Sequence, residues 1–287
     1  MARKLIVVSG PTAVGKTAWS IPLALRHNSP IISCDSRQIY REMSIGTAVP
    51  SAEELSQVKH YFIQDHSILE PYTAGDYEIE ALALMESLFS EGHETLVACG
   101  GTGFYIDALC RGLGDLPKTD PELRYELCRR LEEEGIASLR MDLRRLDPEA
   151  YSSIDISNPQ RVLRAVEVCL LSGRKFSSFK MSSPKKRDFD VEIICLTCPR
   201  DILAGRISRR VDAMLGAGLL DEVRSLMEYR GLPALRTVGY SEIFDYLDGL
   251  CTLEKAVEKI KTNTRRYAKK QLTWWRRYPS VRFVEVK

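Results

Sequence analysis

The octapeptide Gly10-Pro11-Thr12-Ala13-Val14-Gly15-Lys16-Thr17 constrains this 287-residue chain more than any other stretch. It follows the apolar run Leu5-Ile6-Val7-Val8-Ser9 and precedes a helix-compatible apolar stretch, Ala18 to Leu25. A G-x-x-x-x-G-K-T run between a strand and a helix reads as a phosphate loop. Its glycines let backbone N–H groups converge on phosphate oxygens, and the helix behind turns the positive end of its dipole toward them. On this reading Lys16 supplies a point charge and the Thr17 hydroxyl is a Mg²⁺ ligand. A chance Gly-rich turn, the alternative, leaves the flanking strand and helix unexplained. The loop announces a polyphosphate, but not which one or what is done with it.

Apolar runs bounded by turn signals predict strands at Leu5–Ser9, Ile31–Cys34, Thr95–Cys99, Val191–Thr197 and Val281–Val286, with helical patterns between most of them. That alternation predicts an α/β fold, a P-loop NTPase-like parallel sheet flanked by helices. Ligands of such sheets sit at the carboxyl ends of the strands. Three ends carry chemistry here: the phosphate loop, Asp35-Ser36-Arg37-Gln38, and Gly100-Gly101-Thr102-Gly103. All three are expected to open onto one crevice. Between Gly112 and Lys186 the strands vanish. Asp120-Pro121 and Asn158-Pro159 each pair a capping residue with proline at the first helical position, and the helices run to about Gly135 and Gly173. Phe176 to Arg187, rich in Ser, Lys and Pro, reads as a loop. The expected division is a core of 1–112 and 187–287 with an all-helical insertion at 113–186.

With 44% hydrophobic and 28% charged residues the composition is that of an ordinary soluble domain, and no apolar run is long enough to span a membrane. Met1-Ala2-Arg3-Lys4 leads into a strand without a signal-peptide pattern, so a cytoplasmic protein with reduced cysteines is expected. The lone C-x-x-C, Cys195 and Cys198, reads as core rather than metal or redox chemistry, and the four histidines show no metal-ligand spacing. A net charge of +2 hides an asymmetry: between Glu254 and Arg277 nine Lys and Arg face two Glu, interleaved with Tyr267, Trp274 and Trp275. Such a segment is either a nucleic-acid surface or a solvated helix whose aromatics pack inward.

A P-loop ATPase carries an acid at the end of a second strand to hold Mg²⁺. The strand ending at Cys99 has none; the carboxylate sits at Asp35 instead. Asp35 reads either as a helix N-cap or as a metal or proton acceptor. Thr102 offers a hydroxyl from a Gly-rich turn. Arg206 and Arg210, four apart on one helical face, read as a lid over phosphates or as a solvated basic face.

Taken together, these fragments resemble the tRNA dimethylallyltransferase (tRNA isopentenyltransferase) family, bacterial type. The resemblance runs in order through residues 10–17, 35–41, Ile45-Gly46-Thr47, 100–105, Asn158-Pro159-Gln160-Arg161, Arg164-Ala165-Val166-Glu167, Arg210-Val211, Gly218 to Val223, Gly239 to Glu242, and Thr264 to Gln271 with Thr273-Trp274. It implies transfer of a dimethylallyl group from its diphosphate to the exocyclic N6 amine of the adenosine 3′ of a tRNA anticodon, with Mg²⁺. Thr12, Ala13, Val14, Gly15, Lys16 and Thr17 would then hold the diphosphate of the isoprenoid. Asp35 would accept the amine proton, Thr102 would position the reactants and Arg210 would stabilise the leaving group. Asp35, Ser36, Arg37, Gln38, Thr102, Gln160, Arg161 and Arg164 match segments that contact the tRNA anticodon arm in the family. Monomers are expected. Val14 departs from the usual Ser or Ala, and Lys59-His60-Tyr61-Phe62 replaces a common His-His-Leu; a bacterial-type enzyme without a zinc-finger tail is expected. Two other readings compete: a small-molecule P-loop kinase, resting on the loop and arginines, and a noncatalytic RNA-binding module, resting on the basic C-terminal segment.

Overall fold

The computed structural model describes residues 3–114, 116–179 and 185–286. The chain divides into two compact units, one of 1–111 and 187–287, the other of 112–186.

In chain order the first unit begins with β1 (Lys4–Ser9), α1 (Lys16–Arg26), β2 (Ile31–Ser33), α2 (Ala52–Gln57), β3 (His60–Tyr61), α3 (Ala74–Ser90), β4 (Thr95–Cys99) and α4 (Gly103–Arg111). The second unit contributes α5 (Pro121–Glu134), α6 (Ile136–Leu146), α7 (Pro148–Ser153) and α8 (Pro159–Ser172). The first then resumes with β5 (Asp190–Thr197), α9 (Arg200–Gly216), α10 (Leu219–Ser225), α11 (Tyr240–Leu247), α12 (Leu253–Trp275) and β6 (Arg282–Glu285).

The six strands form one parallel sheet in the order β3-β2-β4-β1-β5-β6. β1 is buried along its last five residues, as an apolar strand covered by helices on both faces must be. Ile6, Val8, Val97, Ile194 and Leu196 from the three central strands pack with Ile21 and Ala24 of α1 and Leu203 and Ile207 of α9. Each of these large side chains contributes about 1.5–3 kcal/mol by leaving water. From β1 the chain passes over β4 to β2 on one side, while β5 and β6 lie on the other. The carboxyl ends at this reversal are where such sheets bind ligands.

β3 had no sequence signal: two residues carry no periodicity, and they form a strand because β2 supplies a parallel edge. His60, within it, bonds its Nδ1 to the Val58 carbonyl at 2.8 Å, and burial lowers its pKa. It does not line the crevice described below.

The helical unit has a core of its own, in which Leu127, Leu139 and Leu143 pack against Val162, Leu163 and Val166. Its proline-led helices are capped as their sequences require. Asp120 accepts from Leu123 N at 2.8 Å, and Asn158 accepts from Gln160 N and Arg161 N at 3.1 and 3.2 Å. Two further helices lie between them. α6 starts after Gly135, whose φ of 74° ends α5, and α7 is capped by Asp147, which is fully buried. Of the expected loop at 176–187, Phe176–Phe179 forms a 3₁₀ turn, and residues 180–184 lie outside the described residues.

Candidate active site

The phosphate loop leaves β1 through Gly10, whose φ is 145°. A Cβ there would stand 2.6 Å from the Leu196 carbonyl oxygen, so the loop passes β5 only as glycine. Ala13 and Gly15 also take positive φ, 65° and 100°, which turns the chain back into α1. Lys16 Nζ donates to the carbonyls of Gly10 at 3.2 Å and Pro11 at 3.0 Å, lying across the loop it serves. Its pKa is lowered, first by burial and also by the charge of Arg210, while Cys99 and Asp35 oppose the shift.

β2 ends one residue short of its apolar run. Cys34 continues the ladder from its N–H to the Cys99 carbonyl at 2.8 Å, and Asp35 begins the turn that follows. Both readings of Asp35 meet here. Its Oδ1 accepts from Arg37 N at 2.9 Å and Gln38 N at 3.3 Å, so it caps this turn. Both bonds fall on Oδ1, which leaves Oδ2 for a proton. At the end of β4, Thr102 Oγ1 accepts from Ser36 N at 3.0 Å and donates to Ser36 Oγ at 3.2 Å, tying the two strand ends together. Tyr267 of α12 lines the same crevice, and its phenol is pushed up to about 12 by burial and then by the charge of Asp35.

These three strand ends line one crevice of about 1020 Å³. Thr12, Ala13, Gly15, Lys16, Thr17, Asp35, Ser36, Arg37, Gln38 and Arg210 face it; Val14 is buried behind the loop in the core. Arg210 donates to the Thr47 carbonyl at 3.3 Å, and Arg206 donates to the Val14 carbonyl at 3.0 Å. Burial lowers the pKa of Arg210 and Asp35 raises it. α9 therefore turns Arg206 and Arg210 to the crevice, while its Arg200 and Arg209 are exposed.

No group of three or more His, Cys, Asp or Glu suited to a metal ion occurs among the described residues. The donors that face the crevice, the Thr17 hydroxyl and the Asp35 carboxylate, are hard oxygens. They fit Mg²⁺ held mainly by phosphate oxygens and water, the usual arrangement for that ion.

The wall opposite the loop carries a feature without a mechanism in the sequence. Glu222 of α10 accepts from three successive backbone amides, Ser44 at 3.0 Å, Ile45 at 2.7 Å and Gly46 at 2.9 Å, and from the Tyr240 hydroxyl at 2.6 Å. Gly46 must be glycine, since a Cβ would stand 2.5 Å from the Tyr240 ring. Gln38 Nε2 holds the next carbonyls, Thr47 at 3.1 Å and Ala48 at 2.8 Å. Glu222 thus fixes the segment on which Arg210 rests. Glu222→Ala leaves three backbone amides without their acceptor, and a loss of about 2–4 kcal/mol is expected. Denaturant unfolding checks this, and a change within half of 1 kcal/mol, roughly the range of ordinary surface substitutions, would show the clamp to be incidental.

In the helical unit, Arg164 donates to Glu167 at 2.7 Å, Thr119 Oγ1 at 3.2 Å and the Pro117 carbonyl at 2.7 Å. Glu167 is fully buried and also pairs with Arg124 at 3.2 Å. Arg164 therefore braces its own unit. Gln160 accepts from Arg124 at 2.9 Å, and Arg161 lies exposed on the first turn of α8. Arg129, Arg130 and Arg145 likewise pair with acids of their own unit, and Arg144 is exposed.

In α12 the two readings of the basic segment both hold in part. Ala256, Ile260, Ala268, Gln271 and Trp275 form its buried stripe, and eight of the nine basic residues are exposed.

The chain is similar to known proteins over nearly its whole length. A family model described as IPP transferase matches residues 38–278. A tRNA dimethylallyltransferase of Flavobacterium johnsoniae is 47% identical over 98% of this chain and 93% of its own length. The crystal structure of a Bacillus halodurans tRNA isopentenylpyrophosphate transferase is 39% identical, covers 99% of this chain and 90% of its own, and superposes with a TM-score of 0.71. A eukaryotic dimethylallyltransferase acting on tRNA superposes with a TM-score of 0.84 at 26% identity, over 99% of this chain and 74% of its own. The chain belongs to the IPP transferase family.

Proposed function

We propose that this protein is a tRNA dimethylallyltransferase, moving a dimethylallyl group from dimethylallyl diphosphate to the exocyclic N6 amine of the adenosine 3′ of a tRNA anticodon. The observation that carries the reading is the meeting of phosphate loop, Asp35 and the Cys99-Gly100 end of β4 in one crevice; Thr102 does not line it but ties to Ser36, which does. The tRNA dimethylallyltransferases to which the chain is similar support it. A kinase is disfavoured because β4 ends in Cys99-Gly100-Gly101, without an acid for the nucleotide's metal.

The amine nitrogen attacks the carbon bearing the diphosphate, the carbon–oxygen bond breaks, and diphosphate leaves with that electron pair. The proton released from nitrogen passes to Asp35. Lys16, Arg210 and the phosphate-loop amides that follow Thr12 stabilise the charge that gathers on the departing oxygens. Mg²⁺, with Thr17 as its protein ligand, would neutralise further phosphate charge. The target base must leave its stack to enter the crevice. The exposed basic residues of α12, with Arg161, supply phosphate contacts for the RNA.

Purified protein, Mg²⁺ and dimethylallyl diphosphate, incubated with unmodified tRNA bearing adenosine at that position, are expected to give adenosine heavier by one dimethylallyl group by nucleoside mass spectrometry. Folded protein that binds tRNA yet forms no product would overturn the reading.

A further inference from the structure

The phosphate loop has a neighbour that its motif does not anticipate. Gln271 lies on the buried stripe of α12 and is 7% exposed. Its Oε1 accepts from Thr12 N at 2.8 Å, and its Nε2 donates to the Gly101 carbonyl at 2.8 Å. A backbone N–H on one side and a carbonyl on the other fix which end of the carboxamide is oxygen. A Cβ on Gly101 would overlap Nε2 and lie 3.6 Å from Lys16 Nζ. The carboxamide therefore bridges the loop and the residues after β4, on the side of Gly101 that Lys16 Nζ also approaches.

In a phosphate loop the lysine reaches the distal phosphates of a bound nucleotide. Here that end of the cradle is occupied by protein, and the Thr12 amide is already spent. We propose that Gln271 is a specificity-determining residue that limits the loop to a two-phosphate group by standing where a third phosphate would continue. This rests on the reading that the loop holds a diphosphate. A triphosphate would have to displace the carboxamide, which leaves the buried Gly101 carbonyl without a donor. A diphosphate can use the remaining amides and Lys16 without disturbing the bridge.

Titration calorimetry of the protein with Mg²⁺ and either inorganic diphosphate or inorganic tripolyphosphate tests this. The wild type is expected to prefer diphosphate by at least about tenfold, the effect of one charge-assisted hydrogen bond. Gln271→Ala should cut that preference by about tenfold, mainly through tighter tripolyphosphate binding. Gln271→Asn, one methylene too short to span both partners, should move it in the same direction and carries the test where the alanine variant fails to fold. Equal affinities in the wild type, or a preference unchanged by either folded variant, would overturn the proposal. Binding of neither anion by folded wild type would instead remove the diphosphate reading, and the proposal with it.

Discussion

Asp35→Asn is expected to lower the rate of dimethylallyl transfer by about 10²–10⁴-fold, the usual worth of a positioned general base. Asparagine is the informative replacement because Asp35 does two things. Its Oδ1 caps the turn by accepting from Arg37 N and Gln38 N, and an amide oxygen can continue to do so. What asparagine cannot do is take a proton. The turn, the Ser36–Thr102 tie and the crevice wall should survive, so tRNA affinity should hold while single-turnover chemistry fails. Asp35→Ala removes both functions and would confound them. Transfer by Asp35→Asn at more than about a tenth of the wild-type rate would leave Asp35 as a cap and nothing more, since a general base is worth far more than that.

Lys16→Met is expected to cost about 10²–10³-fold in kcat/KM for dimethylallyl diphosphate, comparable to deleting one preorganised donor from a site of developing charge. Methionine keeps the apolar stem and deletes the charge. Burial lowers the Lys16 pKa and Arg210 lowers it further, so the free site holds its ammonium against cost. Diphosphate brings opposite charge and raises that pKa again. The sign follows: wherever the free site is partly deprotonated, binding takes up a proton. Affinity then falls as pH rises through the lowered pKa, earlier than for an ordinary lysine. Calorimetry in two buffers of different ionisation enthalpy reads the uptake directly. It should shrink in Lys16→Met; uptake of equal size in wild type and variant would assign it to another group.

The parallel sheet, its helices and the three loaded strand ends were legible because each is written locally. Leu5 to Ser9 is an apolar run, the loop has fixed spacing, and Asp120-Pro121 and Asn158-Pro159 are caps whose bonds span three residues. A two-residue strand such as His60-Tyr61 has no local signature and exists because β2 offers an edge. The lid arginines could be placed on one helical face, but whether that face met water or the loop depended on where α9 packed. Arg164 was legible as a basic residue near a helix start, yet its guanidinium belongs to buried Glu167, because a carboxylate with no access to water must be paired.

The residues that sequence reading left without a task are all joined by long separations. Glu222 acts on amides 176 to 178 positions away, and Gln271 on Thr12 at 259. One trace of Gln271 was present: it falls on the stripe of Ile260, Ala268 and Trp275, where α12 otherwise buries apolar side chains. A polar residue on such a stripe needs a partner, but periodicity names only the face and not what faces it. The sequence by itself determined the fold class, the phosphate loop and the strand ends that carry chemistry, since those depend on spacing within a few residues. Only the tertiary structure decided which side chains finish the site, because a hydrogen bond across the sheet exists only once packing has brought its two ends together.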